Sequence, residues 1–254
     1  MKPAVEKRLR NTWTPEQIEK HKKAVKLLHA IVLEAFEYIA RNGDVTEYEV
    51  REFILGRYEY HGLVSDRPPI VAFRENTAII HHFPEKRSKK IKPESPVLID
   101  VWARLKTSNS PFADITWMGY YGKKIPKRFE EIFGIVVRSR DACVRLIRKN
   151  LKAGTIVTGI EAHAEADRVL VSAGFESKHG TGHSIGFRSP HGSFEPLNRK
   201  GKVPLKTNLG YTIEPGIYVS GELGARSEID FYIDNGMVMR ITGKVQKEIV
   251  RIGA

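Results

Sequence analysis

His179-Gly-Thr-Gly-His183-Ser-Ile-Gly186 is followed by Tyr211-Thr-Ile-Glu214-Pro-Gly-Ile-Tyr218 and then by Arg226-Ser-Glu228-Ile-Asp230, and the reading of these three segments decides the fold. Each sets a side chain able to bind a metal in a short extended run bounded by glycine or proline, which predicts strands or tight turns rather than mobile helix surfaces. One imidazole and two carboxylates make half of a metal site. The other half lies upstream in Val97-Leu-Ile-Asp100-Val101 and Phe112-Ala-Asp114-Ile-Thr116, two acids embedded in apolar runs that read as strands. An aspartate inside a buried strand is costly unless it is paired, hydrogen-bonded or bound to a cation. With Glu214 and Glu228 these acids make four carboxylates, and His183 adds a neutral imidazole. Four negative charges in a core push proton affinity upward, and two divalent cations cancel them. The charge balance predicts a two-metal centre.

At 254 residues and 41% hydrophobic content the chain can bury one large core. No run of eighteen apolar residues occurs and the first ten residues lack the apolar stretch of a signal peptide, so a cytoplasmic protein without membrane association is expected. The lone Cys143 excludes an intrachain disulfide and reads as a packing residue. The net charge of +12 comes from clusters such as Glu85-Lys-Arg-Ser-Lys-Lys-Ile-Lys92, Lys123-Lys-Ile-Pro-Lys-Arg128 and Arg138-Ser-Arg140. These clusters are scattered, fall at element ends and lack aromatic interleaving. They read as a solvated basic surface, not as a nucleic-acid site.

Residues 1–12 are polar and basic and are expected to form a flexible arm, with 13–254 as one domain. Thr14 as N-cap, Pro15 at the first helical position and Gln17 as capping-box partner open a long amphipathic helix that stops at Asn42-Gly43. His21 and His29 on it are read as surface or packing residues. Thr46 with Glu49 opens a second helix running to about His61-Gly62. Strands are expected over 70–73, 77–82, 96–106 and 112–121, which places the two aspartates on neighbouring antiparallel strands. Helices follow over 127–151 and from Thr158 with Glu161 to about Ala173-Gly174, and then strand segments over 183–188, 210–219 and 227–250. The order helix, helix, strands occurs twice, and the junctions before Thr46 and Thr158 are alike, which suggests an internal duplication with the metals at the seam.

The ordered set of Asp100, Asp114, His183, Glu214 and Glu228, in the contexts quoted above, resembles the pita-bread metallopeptidases: methionine aminopeptidase, Xaa-Pro aminopeptidase and prolidase. The resemblance runs from about Thr14 to Gly236. It implies an α+β fold of two pseudo-symmetric halves with a curved antiparallel sheet flanked by helices. It also implies that Asp114 and Glu228 bridge two metals, that Asp100 chelates one and that His183 and Glu214 hold the other. The activity implied is hydrolysis of the N-terminal residue of peptides by a bridging hydroxide, with Glu214 passing the proton to the leaving amine. His81 matches a histidine that contacts substrate at the scissile peptide. His179 and His191 match histidines that stabilise the carbonyl or the tetrahedral intermediate. His82 and His163 are read as structural.

Gly216, Ile217-Tyr218, His179 and Arg226 resemble the proline-directed members, and by the same resemblance Arg226 joins the catalytic set. Length points towards methionine aminopeptidase, because proline-directed members usually carry a further N-terminal domain; the local motifs are weighed above it. Departures are Trp117 after Asp-Ile-Thr, a long loop between Asp100 and Asp114, His191 one residue late, and Ser227 and Ile229 around Glu228. A catalytically silent binding protein on the same fold is the competing reading, against which all five ligand residues stand. Four oxygen donors with one imidazole favour Mn²⁺, with Co²⁺, Zn²⁺ and Fe²⁺ also feasible. Peptides are the expected partners, and a homodimer is left open.

Overall fold

The computed structural model describes residues 12–194 and 196–253. Of the basic arm expected over residues 1–12, all but Thr12 lies outside them. The four long helices begin and end largely where their local chemistry dictates. In α1 (Pro15–Asn42) the Thr14 side chain accepts from Gln17 N while Gln17 Oε1 accepts from Thr14 N, and Gly43 closes the helix at φ 67°. The same reciprocal capping opens α2 (Glu47–Tyr60) at Thr46 and α4 (Gly159–Ser172) at Thr158, whereas α3 (Lys127–Lys152) starts after Pro126 with no side-chain cap. Thr158→Ala is expected to cost about 1 kcal/mol, lowering Tm by about 2–4 °C in a thermal melt. An unchanged Tm would deny the cap its role.

Strand β3 (Ser95–Leu105) is the centre of the larger sheet. It pairs antiparallel with β4 (Ala113–Tyr121), while β1 (Leu63–Val64) and β2 (Ile70–Phe73) share its other edge. The far edge of β4 takes β10 (Val250–Ile252) in parallel. A second antiparallel sheet joins β5 (Gly210–Ile213), β8 (Ile229–Ile233) and β9 (Met239–Thr242), and β6 (Gly216–Val219) with β7 (Leu223–Arg226) makes a ribbon. The order helix, helix, strands does recur.

Register positions the acids. Ile70 and Thr116 flank Asp100 in the sheet, and Asp114 lies opposite Trp102. Because side chains alternate along a strand, all five project from one face. The opposite face carries Ile99, Val101, Ala103, Ala113 and Ile115 into a core with Val25, Leu28, Ile31 and Val32 of α1. On the acids' side, Leu98, Trp102 and Met118 join the core built with α3 and α4. Cys143 is fully buried there.

Three expected segments differ. Residues 77–82 are not a strand: Arg74–Ala78 forms a 3₁₀ helix and the chain continues irregularly through His82. Glu47, wholly buried at the start of α2, accepts from Phe73 N, Asn76 Nδ2 and His82 Nε2, and Thr77 Oγ1 donates to Arg74 O. These bonds replace a ladder. Residues 183–188 make only single bridges, Ser184 with Tyr211 and Ile185 with His191. There a Cβ on Gly182 would stand 2.1 Å from Thr212 O, so the glycine allows a backbone approach that a regular strand spacing would not. The run 210–219 is broken at Glu214-Pro215 into β5 and β6.

Arg140 also departs from the expected basic surface. It is 1% exposed, and its Nη1 donates to Ser227 Oγ at 2.6 Å and Gln246 O at 2.7 Å. His21 is buried rather than at the surface, bonded to Phe112 O and Thr242 Oγ1. His82 pairs with Glu47 and His163 with Thr181, in keeping with structural roles. Among the described residues no helix is long and apolar enough to cross a membrane.

Candidate metal centre

A cavity of about 610 Å³ opens where the acid-bearing face of β3 and β4 meets the His179–Glu228 region. Asp100, Asp114, His183, Glu214 and Glu228 all line it, as do His81, His179, His191 and Arg226. At its floor one ligand atom each from Asp114, His183 and Glu228 lies within 4.8 Å of the others, and all three residues are buried.

Each side chain is held from behind. Asp114 N donates to Asp230 Oδ2 at 2.8 Å, tying the strand to a fully buried carboxylate of β8. Thr116 Oγ1 donates to Glu228 Oε2 at 2.8 Å and accepts from Arg226 Nε at 3.0 Å. Arg226, 3% exposed, ion-pairs with Asp100 Oδ2 through Nη2. Asp100 Oδ1 has no hydrogen-bond partner although it is buried. Ser184 O stands 3.0 Å from His183 Nδ1, and since a carbonyl only accepts, Nδ1 carries the proton. The bare Nε2 then faces Glu214 Oε1 at 3.5 Å and Asp114 Oδ2 at 3.6 Å. Burial holds the His183 pKa down at about 4, which keeps it a neutral donor.

The carboxyls show the reverse effect. Burial, then the charges of Glu228 and Asp100, push Asp114 well above the usual carboxylate range. Burial, then Glu214 and Asp100, do the same to Glu228. Asp100 is raised by burial against the opposing pull of Arg226, and Glu214 is raised by burial. A set of buried acids that repel one another, an orphaned carboxylate oxygen and a neutral imidazole with its lone pair turned inward fit divalent cations.

His179 donates through Nδ1 to Gly180 O at 2.7 Å, and its Nε2 accepts from Tyr218 OH at 2.8 Å. In this arrangement neither nitrogen is left for a substrate carbonyl. Arg226 Nη1 in turn donates to Tyr218 OH at 3.2 Å, so His179, Tyr218, Arg226 and Asp100 form one hydrogen-bonded chain. Burial pushes the Tyr218 hydroxyl up to about 12, against the lowering effect of Arg226. His81 and His191 are exposed at the cavity, with the His191 ring 4.1 Å from that of His183. Sequence reasoning gave no role to Tyr218, Thr116 or Asp230. A signal existed, since Asp230 lies two residues after Glu228 and Thr116 two after Asp114, the spacing that returns a strand residue to the same face.

Residues 19–235 match the sequence pattern of metallopeptidase family M24. The chain belongs to that family. An uncharacterized peptidase of Schizosaccharomyces pombe is 28% identical over 186 residues, which cover 72% of this chain and 39% of that protein. Aminopeptidase P1 of Arabidopsis thaliana is 31% identical over 169 residues, 63% of this chain and 24% of that protein. The chain thus spans well under two thirds of the length of these relatives. Among solved structures, an X-Pro aminopeptidase from Thermotoga maritima superposes with a TM-score of 0.84 at 23% identity, covering 98% of this chain and 67% of that one. A Xaa-Pro dipeptidase from Bacillus anthracis gives 0.83 at 26% identity, covering 99% and 66%. The M24 chain has the pita-bread fold, its two helix-helix-strand halves meeting at the cavity.

Proposed function

We propose that residues 13–254 form one catalytic domain of a two-metal aminopeptidase that releases the N-terminal residue of peptides, with preference for Xaa-Pro bonds. The observation that carries this reading is the convergence of Asp114, His183 and Glu228 in a cavity that Asp100 and Glu214 also line, with the buried Asp100 Oδ1 left without a hydrogen-bond partner. In this reading Asp114 and Glu228 would help hold both ions, Asp100 would help hold one, and His183 and Glu214 the other. Four oxygen donors with one nitrogen make Mn²⁺ the first candidate. When bound, the cations supply Lewis-acid polarisation of the peptide carbonyl and lower the pKa of a water to near neutrality.

The protein's own groups do the rest. Glu214, whose carboxyl is raised by burial, is suited to hold a proton at a carboxylate oxygen and hand it to the leaving amine. His81 and His191, which line the cavity, would donate to the substrate carbonyl. His179 acts through Tyr218, fixing the hydroxyl that Arg226 also holds. Arg226 holds Asp100 in place and opposes the effect of burial on its carboxyl.

The test is a peptidase assay on metal-stripped protein reloaded with Mn²⁺ or Co²⁺, comparing Xaa-Pro with Met-Ala peptides. Release of the residue ahead of proline is the expected result. Release of methionine alone would overturn the proline preference, and cleavage of neither peptide by fully loaded protein would overturn the peptidase reading.

A further inference from the structure

One wall of the cavity is apolar and adjoins Asp100. Ile70 is the sheet neighbour of Asp100, and Trp102 follows two residues later on the same face. Phe83 meets the Trp102 ring edge-on, with centroids 6.4 Å apart and planes at 82°. All three residues line the cavity. Trp102 is 7% exposed, and its indole N–H donates to Asp66 Oδ1 at 2.8 Å. That bond uses the ring's sole polar group outside the sheet, so the indole turns carbon towards the cavity beside a carboxylate that the site needs. Asp66 comes from the segment between β1 and β2, and its bond to the indole fixes the ring plane.

We infer that Trp102, braced by Asp66, forms with Ile70 and Phe83 a subsite for an apolar side chain, and that Trp102 determines specificity for the N-terminal residue. The choice of end rests on the aminopeptidase reading. Glu214, which that reading has serving the leaving amine, lies beside His183 at 3.5 Å, on the other side of the site from the wall, whereas Asp100 adjoins the wall. The wall therefore faces the residue on the acyl side of the scissile bond. Apolar burial discriminates strongly against a polar group of the same shape, because such a group leaves its hydrogen bonds unmade.

Free L-leucine and L-asparagine have the same branching pattern, are not hydrolysed and probe the subsite without turnover. In calorimetric titrations of Mn²⁺-loaded protein, leucine is expected to bind about tenfold or more tightly than asparagine, and in Trp102→Ala the ratio falls to about twofold or less. Metal content should stay unchanged. Phe83→Ala, at a residue 37% exposed, should reduce the ratio without endangering the fold. Asp66→Ala should reduce it as well, and Asp66→Asn should restore it, because the amide oxygen still accepts from the indole. Equal affinity for the two amino acids in the unaltered protein, or an undiminished ratio in both Trp102→Ala and Phe83→Ala, would overturn the inference. Failure of the peptidase reading shows differently, as selective leucine binding by a loaded protein that cleaves no peptide.

Discussion

Glu228→Gln is expected to abolish turnover and, in metal-stripped protein, to raise the melting temperature. Glu228 is 3% exposed, and burial followed by the charges of Glu214 and Asp100 pushes its carboxyl well above the ordinary value of 4.5. A carboxyl raised in the folded state favours folding when protonated. That contribution is whole below the unfolded value and is lost as pH climbs through the raised folded value. At neutral pH the metal-free fold therefore bears a repulsion that glutamine removes, while its amide oxygen still accepts from Thr116 Oγ1. The gain should be on the order of 1–3 kcal/mol, or about 2–12 °C in Tm. It should shrink as pH falls towards the ordinary carboxylate range. With metal present the sign reverses, because the variant loses a ligand and with it the stabilisation that binding confers. Melts in chelator and in Mn²⁺ across pH 5 to 8 read both limbs. A variant less stable than its parent throughout the metal-free series would contradict the repulsive cluster.

Arg226→Met should have the opposite effect on the empty protein. Arg226 and Asp100 are both buried, and the guanidinium also donates to Thr116, Tyr218 and Ile80 O. Removing one partner of a buried pair strands the other charge, which costs about 3–5 kcal/mol. Tm should fall by about 6–20 °C. Asp100→Asn in the same chain should return a good part of the loss, since the neutral amide is no longer a stranded charge, and the pair should show a coupling of about 2 kcal/mol in a double-mutant cycle. Added Mn²⁺ should narrow the gap by serving as the missing counter-charge. Strictly additive losses in the cycle would mean that the two residues do not act as a pair.

What could be read from the sequence was local or periodic. Thr14, Thr46 and Thr158 announce their helices through partners three residues away, and β3 and β4 are legible as apolar runs bounded by polar turns. Asp100 and Asp114 stood out because an acid inside such a run needs a partner. What escaped depends on distant residues. Glu47 looks like any acid in a first helical turn, yet it holds Phe73, Asn76 and His82 and so turns an expected strand into a 3₁₀ helix. Arg140 sits among exposed basic residues in the sequence but reaches Ser227, 87 positions on. Its burial also gives a partner to the serine that sets this chain apart around Glu228. In the sequence Tyr218 is one residue of a motif, and its hydroxyl gains meaning only where His179 and Arg226 meet it.

The most direct test of the two-metal site is to count and locate bound ions in protein dialysed against Mn²⁺, by elemental analysis and by anomalous diffraction from crystals. Two ions per chain are predicted, both in the cavity lined by Asp114 and Glu228, with at least one lost in Glu228→Gln. No bound ion, or ions found only outside that cavity, would contradict it.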